Sequence, residues 1–400
     1  MISERGASRR AARIFTVDDA RRLARRRLPR GVFDYVDGAA EAERTMRANV
    51  GAFDALGFRP RMAVTSGSPP DLTATVLGLR VDMPLLLSPV GSSRLIEPGG
   101  DIAAARAAGA AGTVLTVSTM SGYPLEQVAA ATPGPLWFQL YFLGGRRGAE
   151  QLVDRARRAG YHAIVVTVDT QAPGGREREL RTRVSPPVTV TVQNARRVAS
   201  QVSARPWWLA AQARDGFRFS YANAAGMADD TGPMSQLRAV EEWIAAPARW
   251  EDFSWIRRTF GGPVIAKGVL SGDDAKKAVD AGASAIVVSN HGGRQLDRVP
   301  ATLPVLVEVL AAVGDQAEVL IDGGLRRGSD VVAAVALGAR AAMVGRPWAY
   351  GLAAAGERGV TRVLDRFRVE MDRTLRLLGC ESISALDPRF VSVPAGWRGA

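Results

Sequence analysis

The sequence predicts an α/β protein: a closed (β/α)8 TIM barrel with an N-terminal helical segment and a long insertion after strand four. Three observations carry this reading. Eight short apolar runs alternate with alanine-rich helical stretches, the pattern of repeated βα units. Runs such as Ile164–Asp169 (IVVTVD) and Ala285–Asn290 (AIVVSN) are continuously apolar rather than alternating, as expected of parallel strands covered on both faces. Polar and charged residues collect at the C-terminal ends of the runs, the end at which a parallel barrel builds its active site.

In chain order the runs are 84–88, 113–118, 136–141, 163–169, 263–267, 285–290, 318–322 and 341–345. They end in Ser88, Ser118, Tyr141, Asp169, Lys267, Asn290 with His291, Asp322, and Gly345 with Arg346. Residues 1–60 read as helical, with a stop around Leu28-Pro29; residues 61–390 form the barrel and 391–400 a tail. Residues 72–82 read as a short hairpin closing the barrel's bottom. Roughly 177–250 is far longer than an ordinary βα loop, which makes it a candidate lid or docking surface. It contains Pro186-Pro187, Arg196-Arg197, Arg205-Pro206-Trp207-Trp208 and the polar stretch Ala222–Pro233.

Composition narrows the function classes. The 400 residues are 47% hydrophobic and 23% charged, which excludes a disordered, collagen-like or disulfide-stapled chain. Length alone suggests two or three domains, but an inserted barrel absorbs it in one. The net charge is +12, with only three lysines (Lys267, Lys276, Lys277) among 52 cations. An arginine skew of this kind is no argument for nucleic-acid binding, and none is expected. Ten arginines lie within residues 1–30 against three acids. That stretch reads as a solvated helical face, with weak contact to an anionic membrane surface as the functional alternative. The single cysteine, Cys380, excludes an internal disulfide, a Cys-rich zinc site and a CxxC pair. No signal-peptide core and no run of about 18 apolar residues is present, so a cytoplasmic protein is expected. Two distant histidines without clustered carboxylates indicate no metal.

The chemistry lies at the strand ends. His162 opens a strand and reads as structural filler at the closed end of the barrel. His291 follows a strand in Ser-Asn-His-Gly-Gly-Arg-Gln. A base beside the Arg294 guanidinium suits proton abstraction from an acidic substrate. Asp169 either orients that imidazole or caps a helix. Tyr141 offers a hydroxyl to a developing alkoxide or packs the rim. Arg176, after two glycines, supplies a second guanidinium, and two arginines with a tyrosine hydroxyl clamp one carboxylate. The Asp322–Gly328 and Val344–Pro347 elements follow strands seven and eight, where barrels commonly hold phosphate. Lys267 needs an anionic partner: a reduced cofactor, a substrate or an aspartate.

Ser289–Gln295 resembles the active-site signature of the FMN-dependent α-hydroxy-acid oxidase/dehydrogenase family. The resemblance runs from about residue 17 to 390 through Leu28-Pro29 to Asp34-Tyr35, Phe138–Tyr141, Thr167–Thr170, Lys267-Gly268, Asp322–Gly328 and Gly345-Arg346. It implies FMN as cofactor, a small 2-hydroxy acid (lactate- or mandelate-like) as substrate, and a tetramer. The electron acceptor would be oxygen, a quinone or a protein carrier. His291 would be the base and Asp169 its partner. Arg176, Arg294 and Tyr35 would hold the carboxylate, and Tyr141 the substrate oxygen. Lys267 would stabilise charge at the flavin N1/C2=O end. Ser88, Pro89, Val90, Gly91, Ser118, Gln139, Thr167 and Ser289 would surround the ring and ribityl chain. Asp322, Gly324, Arg326, Gly345 and Arg346 would hold the ribityl and phosphate groups. Gly91 stands where many oxidases of the family carry alanine, and Met120 where glycolate oxidases often carry an aromatic. Leu56–Phe58, Gly144–Arg146 and Trp250–Asp252 resemble an actinobacterial subgroup. It includes the mycofactocin-maturation enzyme, whose larger, peptide-derived substrate is the alternative. That enzyme differs after the paired glycines, so the intact Arg294-Gln295 implies a free hydroxy carboxylate.

Overall fold

The computed structural model describes residues 2–64, 68–182, 195–224 and 247–397. Pro186-Pro187 and most of Ala222–Pro233 lie outside the described residues.

All eight predicted runs are strands: β1 (Leu85–Leu87), β2 (Leu115–Ser118), β3 (Leu136–Leu140), β4 (Ala163–Thr167), β5 (Val264–Val269), β6 (Ala285–Val288), β7 (Glu318–Asp322) and β8 (Ala341–Val344). They pair in parallel, and β8 closes onto β1 to complete the barrel. Tyr141, Asp169, His291 and Arg346 fall just past their strands, on the mouth where βα loops converge. Lys267 departs from expectation because β5 continues to Val269, so the lysine lies inside the strand. The register against β6 slips between Lys267 and Val269. Gly268 between them has φ +107°, and a Cβ there would lie 2.6 Å from Asp169 Cγ. The bulge thus requires glycine and makes room for Asp169.

The closed end is plugged as expected. Strands Ala74–Val76 and Leu79–Val81 form an antiparallel hairpin whose Val76 and Val81 pack under Leu86, Val165, Ile265 and Val287 of the barrel interior. His162 contacts the Leu77 carbonyl through Nε2 at 2.9 Å, the structural part foreseen for it.

The N-terminal segment forms helices Ile2–Ala11, Val17–Arg27, Arg30–Asp37 and Arg44–Asp54. Thr16 caps the second in a capping box with Asp19. The basic stretch is not merely a solvated face. Arg10 and Arg27 donate to the carbonyls of Ala354 and Ala353 at 2.8 and 3.0 Å, and Arg21 pairs with buried Asp37. Arg25 and Arg26 remain exposed. Residues 391–392, read as the start of a tail, instead pair with Gly57–Phe58. Among the described residues no helix is long and apolar enough to cross a membrane.

The insertion opens with helix Glu177–Thr182 and continues through Ala195–Ser203 and Pro206–Arg214. It lies against the N-terminal segment and the loop after β1. Gln201 accepts from Gly31 N at 2.7 Å, Trp208 donates to Leu95 O at 3.0 Å, and Arg94 pairs with Asp215 at 2.7 Å. Trp207 is exposed.

Candidate active site

A cavity of about 690 Å³ opens at the C-terminal mouth of the barrel. Its wall includes Tyr35, Tyr141, Arg176, His291 and Arg294, together with Asp322, Gly324, Arg326, Gly345 and Arg346. Ser88, Pro89, Val90, Gly91, Ser118, Gln139 and Lys267 also line it. Residues separated by up to 311 positions therefore converge on one space, because each lies in or follows the C-terminal part of a strand of the same barrel or belongs to a helix lying across its mouth.

Three predicted residues stand behind the lining rather than in it. Asp169 meets His291, Oδ1 to Nδ1, at 3.2 Å. Thr167 accepts from Gln139 Nε2 at 3.1 Å. Ser289 accepts from Lys267 Nζ at 2.9 Å and from His291 N at 3.1 Å. Thr167 and Ser289 thus bond to side chains or backbone of lining residues and are not themselves on the cavity wall.

His291 has φ +56°, a left-handed conformation costly for a residue with a Cβ. Its backbone bond to Ser289 and its ring contact with Asp169 hold it there. With Nδ1 engaged by the carboxylate, Nε2 is the ring nitrogen left to take a proton. Burial pushes the His291 imidazolium below its ordinary 6.5, and Asp169 pulls part of the way back. Burial would raise Asp169, yet His291 holds its carboxyl below the usual range. The pair therefore rests as neutral imidazole and carboxylate at neutral pH.

Opposite stand the guanidiniums. Arg294 donates through Nη1 to the carbonyls of Tyr35 (2.7 Å) and Gly38 (2.9 Å). Its Cζ lies 5.1 Å from the Tyr35 ring centre. Burial, then Arg176, lowers its pKa to about 10. Arg176 and Arg294 each reach Glu179 Oε1 at 3.5 Å, and Arg176 Nε is buried without a protein partner. Tyr35 donates its hydroxyl to Gly91 O at 3.0 Å, so its use toward a carboxylate requires exchanging that bond. Burial, with Asp169 nearby, raises the Tyr141 phenol far above neutrality and keeps it a proton donor.

Lys267 finds the aspartate foreseen as one of its partners: Nζ is 2.9 Å from Asp322 Oδ2, and both side chains are buried. In the loop after β7 Gly324 has φ +90°, and a Cβ there would lie 2.3 Å from the Asn49 carbonyl. Only glycine passes there. Asp322 Oδ1 and Arg346 Nε are buried without protein partners. These orphaned groups, the glycine backbone and the cavity's size match an elongated ligand that ends in phosphate. The residues fit FMN.

Sequence reasoning missed Glu179, Tyr221 and Leu180 on the wall, whereas Gln295 of the Ser289–Gln295 signature lies on it. It also missed Asn49, which exchanges reciprocal 2.8 Å bonds with Asn290 and fixes the loop leading to His291. Met120 and Tyr221 pack with Leu143 and Tyr141, giving one wall an apolar character. A Cβ on Gly91 would lie 3.0 Å from Met120 Cβ and 3.4 Å from Tyr35 Oη. On the expectation of a 2-hydroxy-acid substrate, Gly91→Ala should narrow this wall and disfavour a bulky acid relative to lactate by roughly tenfold, the range one methyl commands in a pocket. The ratio of kcat/KM for mandelate and lactate checks this; an unchanged ratio contradicts it.

A barrel whose mouth joins a half-buried His–Asp pair, two guanidiniums and glycine–arginine loops suited to phosphate fits a flavin-type oxidoreductase scaffold. Residues 24–393 match the family model of the FMN-dependent dehydrogenases. The chain belongs to that family, the FMN-dependent hydroxy-acid oxidases and dehydrogenases, and FMN is its cofactor. It is 44% identical over 389 residues to the pre-mycofactocin synthase of Mycobacterium tuberculosis, covering 96% of this chain and 95% of that one. It is 39% identical over 382 residues to glycolate oxidase 5 of Oryza sativa subsp. japonica, covering 96% of each. The crystal structure of the monotopic membrane protein (S)-mandelate dehydrogenase superposes with a TM-score of 0.87 at 37% identity, covering 95% of this chain and all of that one.

Proposed function

We propose that the protein oxidises an (S)-2-hydroxy acid, lactate- or mandelate-like, to the 2-oxo acid. The observation that carries this reading is the placement of the His291–Asp169 pair and the Arg176/Arg294 pair on one cavity. Bound FMN supplies the two-electron acceptor. Arg176 and Arg294 hold the substrate carboxylate, and Tyr141 donates to the hydroxyl oxygen. His291 Nε2 takes a proton from the substrate as the electrons leave it, and Asp169 stabilises the imidazolium that results. Lys267, paired with Asp322, lies where cationic charge would balance the cofactor's ring. Asp322, Gly324, Arg326 and Arg346 would hold its ribityl and phosphate groups. Membership of an FMN family and 37–39% identity to a mandelate dehydrogenase and a glycolate oxidase support this reading.

Anaerobic addition of L-lactate or (S)-mandelate to the yellow holoprotein should bleach its visible absorbance. Failure of every small hydroxy acid would favour the second reading, a larger peptide-derived substrate, which the 44% identity to pre-mycofactocin synthase supports. The electron acceptor after flavin is oxygen, a quinone or a protein carrier. Admitting oxygen to the bleached protein distinguishes the first from the others.

The pH dependence has a definite sign. His291 must be neutral to accept a proton, so the rate at low substrate holds above its lowered pKa and falls as pH drops through it. Asp169→Asn removes the anion that draws this pKa upward. The acid limb should move to lower pH while the plateau falls by roughly 10²-fold. An acid limb moving upward contradicts the assignment.

A further inference from the structure

The helix Arg30–Asp37 ends against the cavity, and its last carbonyls have no acceptor role within the helix. Two half-buried arginines use them. Arg294 donates to Tyr35 O and Gly38 O, and Arg346 Nη2 donates to the same Gly38 O at 2.7 Å. One backbone carbonyl thus anchors both the guanidinium assigned to the substrate carboxylate and the one assigned to the cofactor phosphate. A carbonyl oxygen has two lone pairs and can accept from both at once, so a shift of Gly38 would move the anchor of both guanidiniums together.

What holds it is unusual in sign. Asp34 and Asp37 lie in the last turn of the helix, where the dipole disfavours carboxylates. Both are buried, which makes them costly unless paired. Arg178, on the first helix of the insertion, meets this need. Its guanidinium donates to Asp34 Oδ1 (2.6 and 2.9 Å), to Asp37 Oδ2 (3.0 Å) and to Glu43 Oε1 (3.3 Å). Asp37 also accepts from Arg21 and from Tyr350 at 2.7 Å, which brings it down to about 2 against the opposing effect of burial. Arg178 is not on the cavity wall. It pins the helix end from outside, while Arg176, immediately before the same short helix, and Glu179 within it line the cavity.

We propose that Arg178 is a positioning residue that fixes the Gly38 carbonyl and so sets carboxylate affinity and FMN retention together. The inference rests on the functional reading above for its carboxylate arm, whereas its FMN arm rests on family membership. Fluorescence of released FMN gives one affinity. Perturbation of the holoprotein's visible spectrum by phenylglyoxylate gives the other.

Arg178→Met should weaken both by roughly tenfold, equivalent to about 1.4 kcal/mol each. The limiting rate of flavin reduction at saturating acid should change by less than about threefold, since uniform binding is lost and not transition-state stabilisation. Arg178→Lys should recover part of both, because a compact ammonium cannot span three carboxylates at once. A lower melting temperature with both affinities unchanged makes Arg178 merely structural and overturns the proposal. Weakening of one affinity alone overturns the coupling through Gly38. Wild-type protein that retains FMN but responds to no acid removes the functional reading instead, and Arg178 is then judged on FMN release alone.

Discussion

Replacing His291 with alanine slows anaerobic flavin reduction by a 2-hydroxy acid by roughly 10²–10⁴-fold, the contribution of a positioned general base. FMN content stays at the wild-type level, because the phosphate cradle of Gly324, Arg326 and Arg346 and the Lys267–Asp322 pair do not depend on the imidazole. Substrate affinity changes little, since Arg176 and Arg294 take their anchoring from Glu179, Tyr35 O and Gly38 O and not from His291. The expected signature is therefore a fall in the limiting reduction rate with nearly constant apparent Kd. Stopped-flow absorbance of the holoprotein measures both. A variant that bleaches at the wild-type rate removes His291 from the chemistry.

Lys267→Met carries the largest expected loss of stability. The ammonium is 3% exposed and lies 2.9 Å from Asp322 Oδ2, so its removal leaves a carboxylate buried beside Ser88 with no cation. Breaking a buried pair from one side costs about 3–5 kcal/mol, read as a lower urea midpoint with an unchanged slope. The double variant Lys267→Met with Asp322→Asn removes both charges and should recover part of that loss. FMN binding should not recover with it, because the cation is absent in both. Additive losses in the double variant would mean that the two groups do not interact.

The eight strands were legible because a parallel strand buried on both faces must be continuously apolar, and runs such as AIVVSN have no other economical fold. Most of the cavity wall was legible for a related reason: a charged residue at the end of an apolar run has nowhere to go but the mouth. Layering within the wall was not legible. Thr167 and Ser289 are of the same chemical type as Ser88 and Ser118, and only the side from which each approaches separates a facing group from a support. Lys267 looked like a strand terminus because a glycine follows it, whereas Gly268 is a bulge inside β5.

What came from outside the βα repeat was invisible for a different reason. Asn49 meets Asn290 across 241 residues, and no local pattern records such a pairing. Glu179 and Tyr221 enter from the insertion, whose composition marks it only as polar. The Gly38 carbonyl has no side chain to announce it, yet two arginines of the site converge on it. Part of the basic N-terminus was likewise not legible as structural: Arg10 and Arg27 bond to the carbonyls of Ala354 and Ala353 and Arg21 pairs with Asp37, while Arg25 and Arg26 remain exposed.

The central claim, that this cavity oxidises a 2-hydroxy acid with FMN, is tested most directly by anaerobic titration of the holoprotein with a panel of (S)-2-hydroxy acids. The account predicts bleaching of the flavin absorbance by at least one of them, with one 2-oxo acid formed per FMN. Flavin that stays oxidised in the presence of every acid of the panel would contradict it.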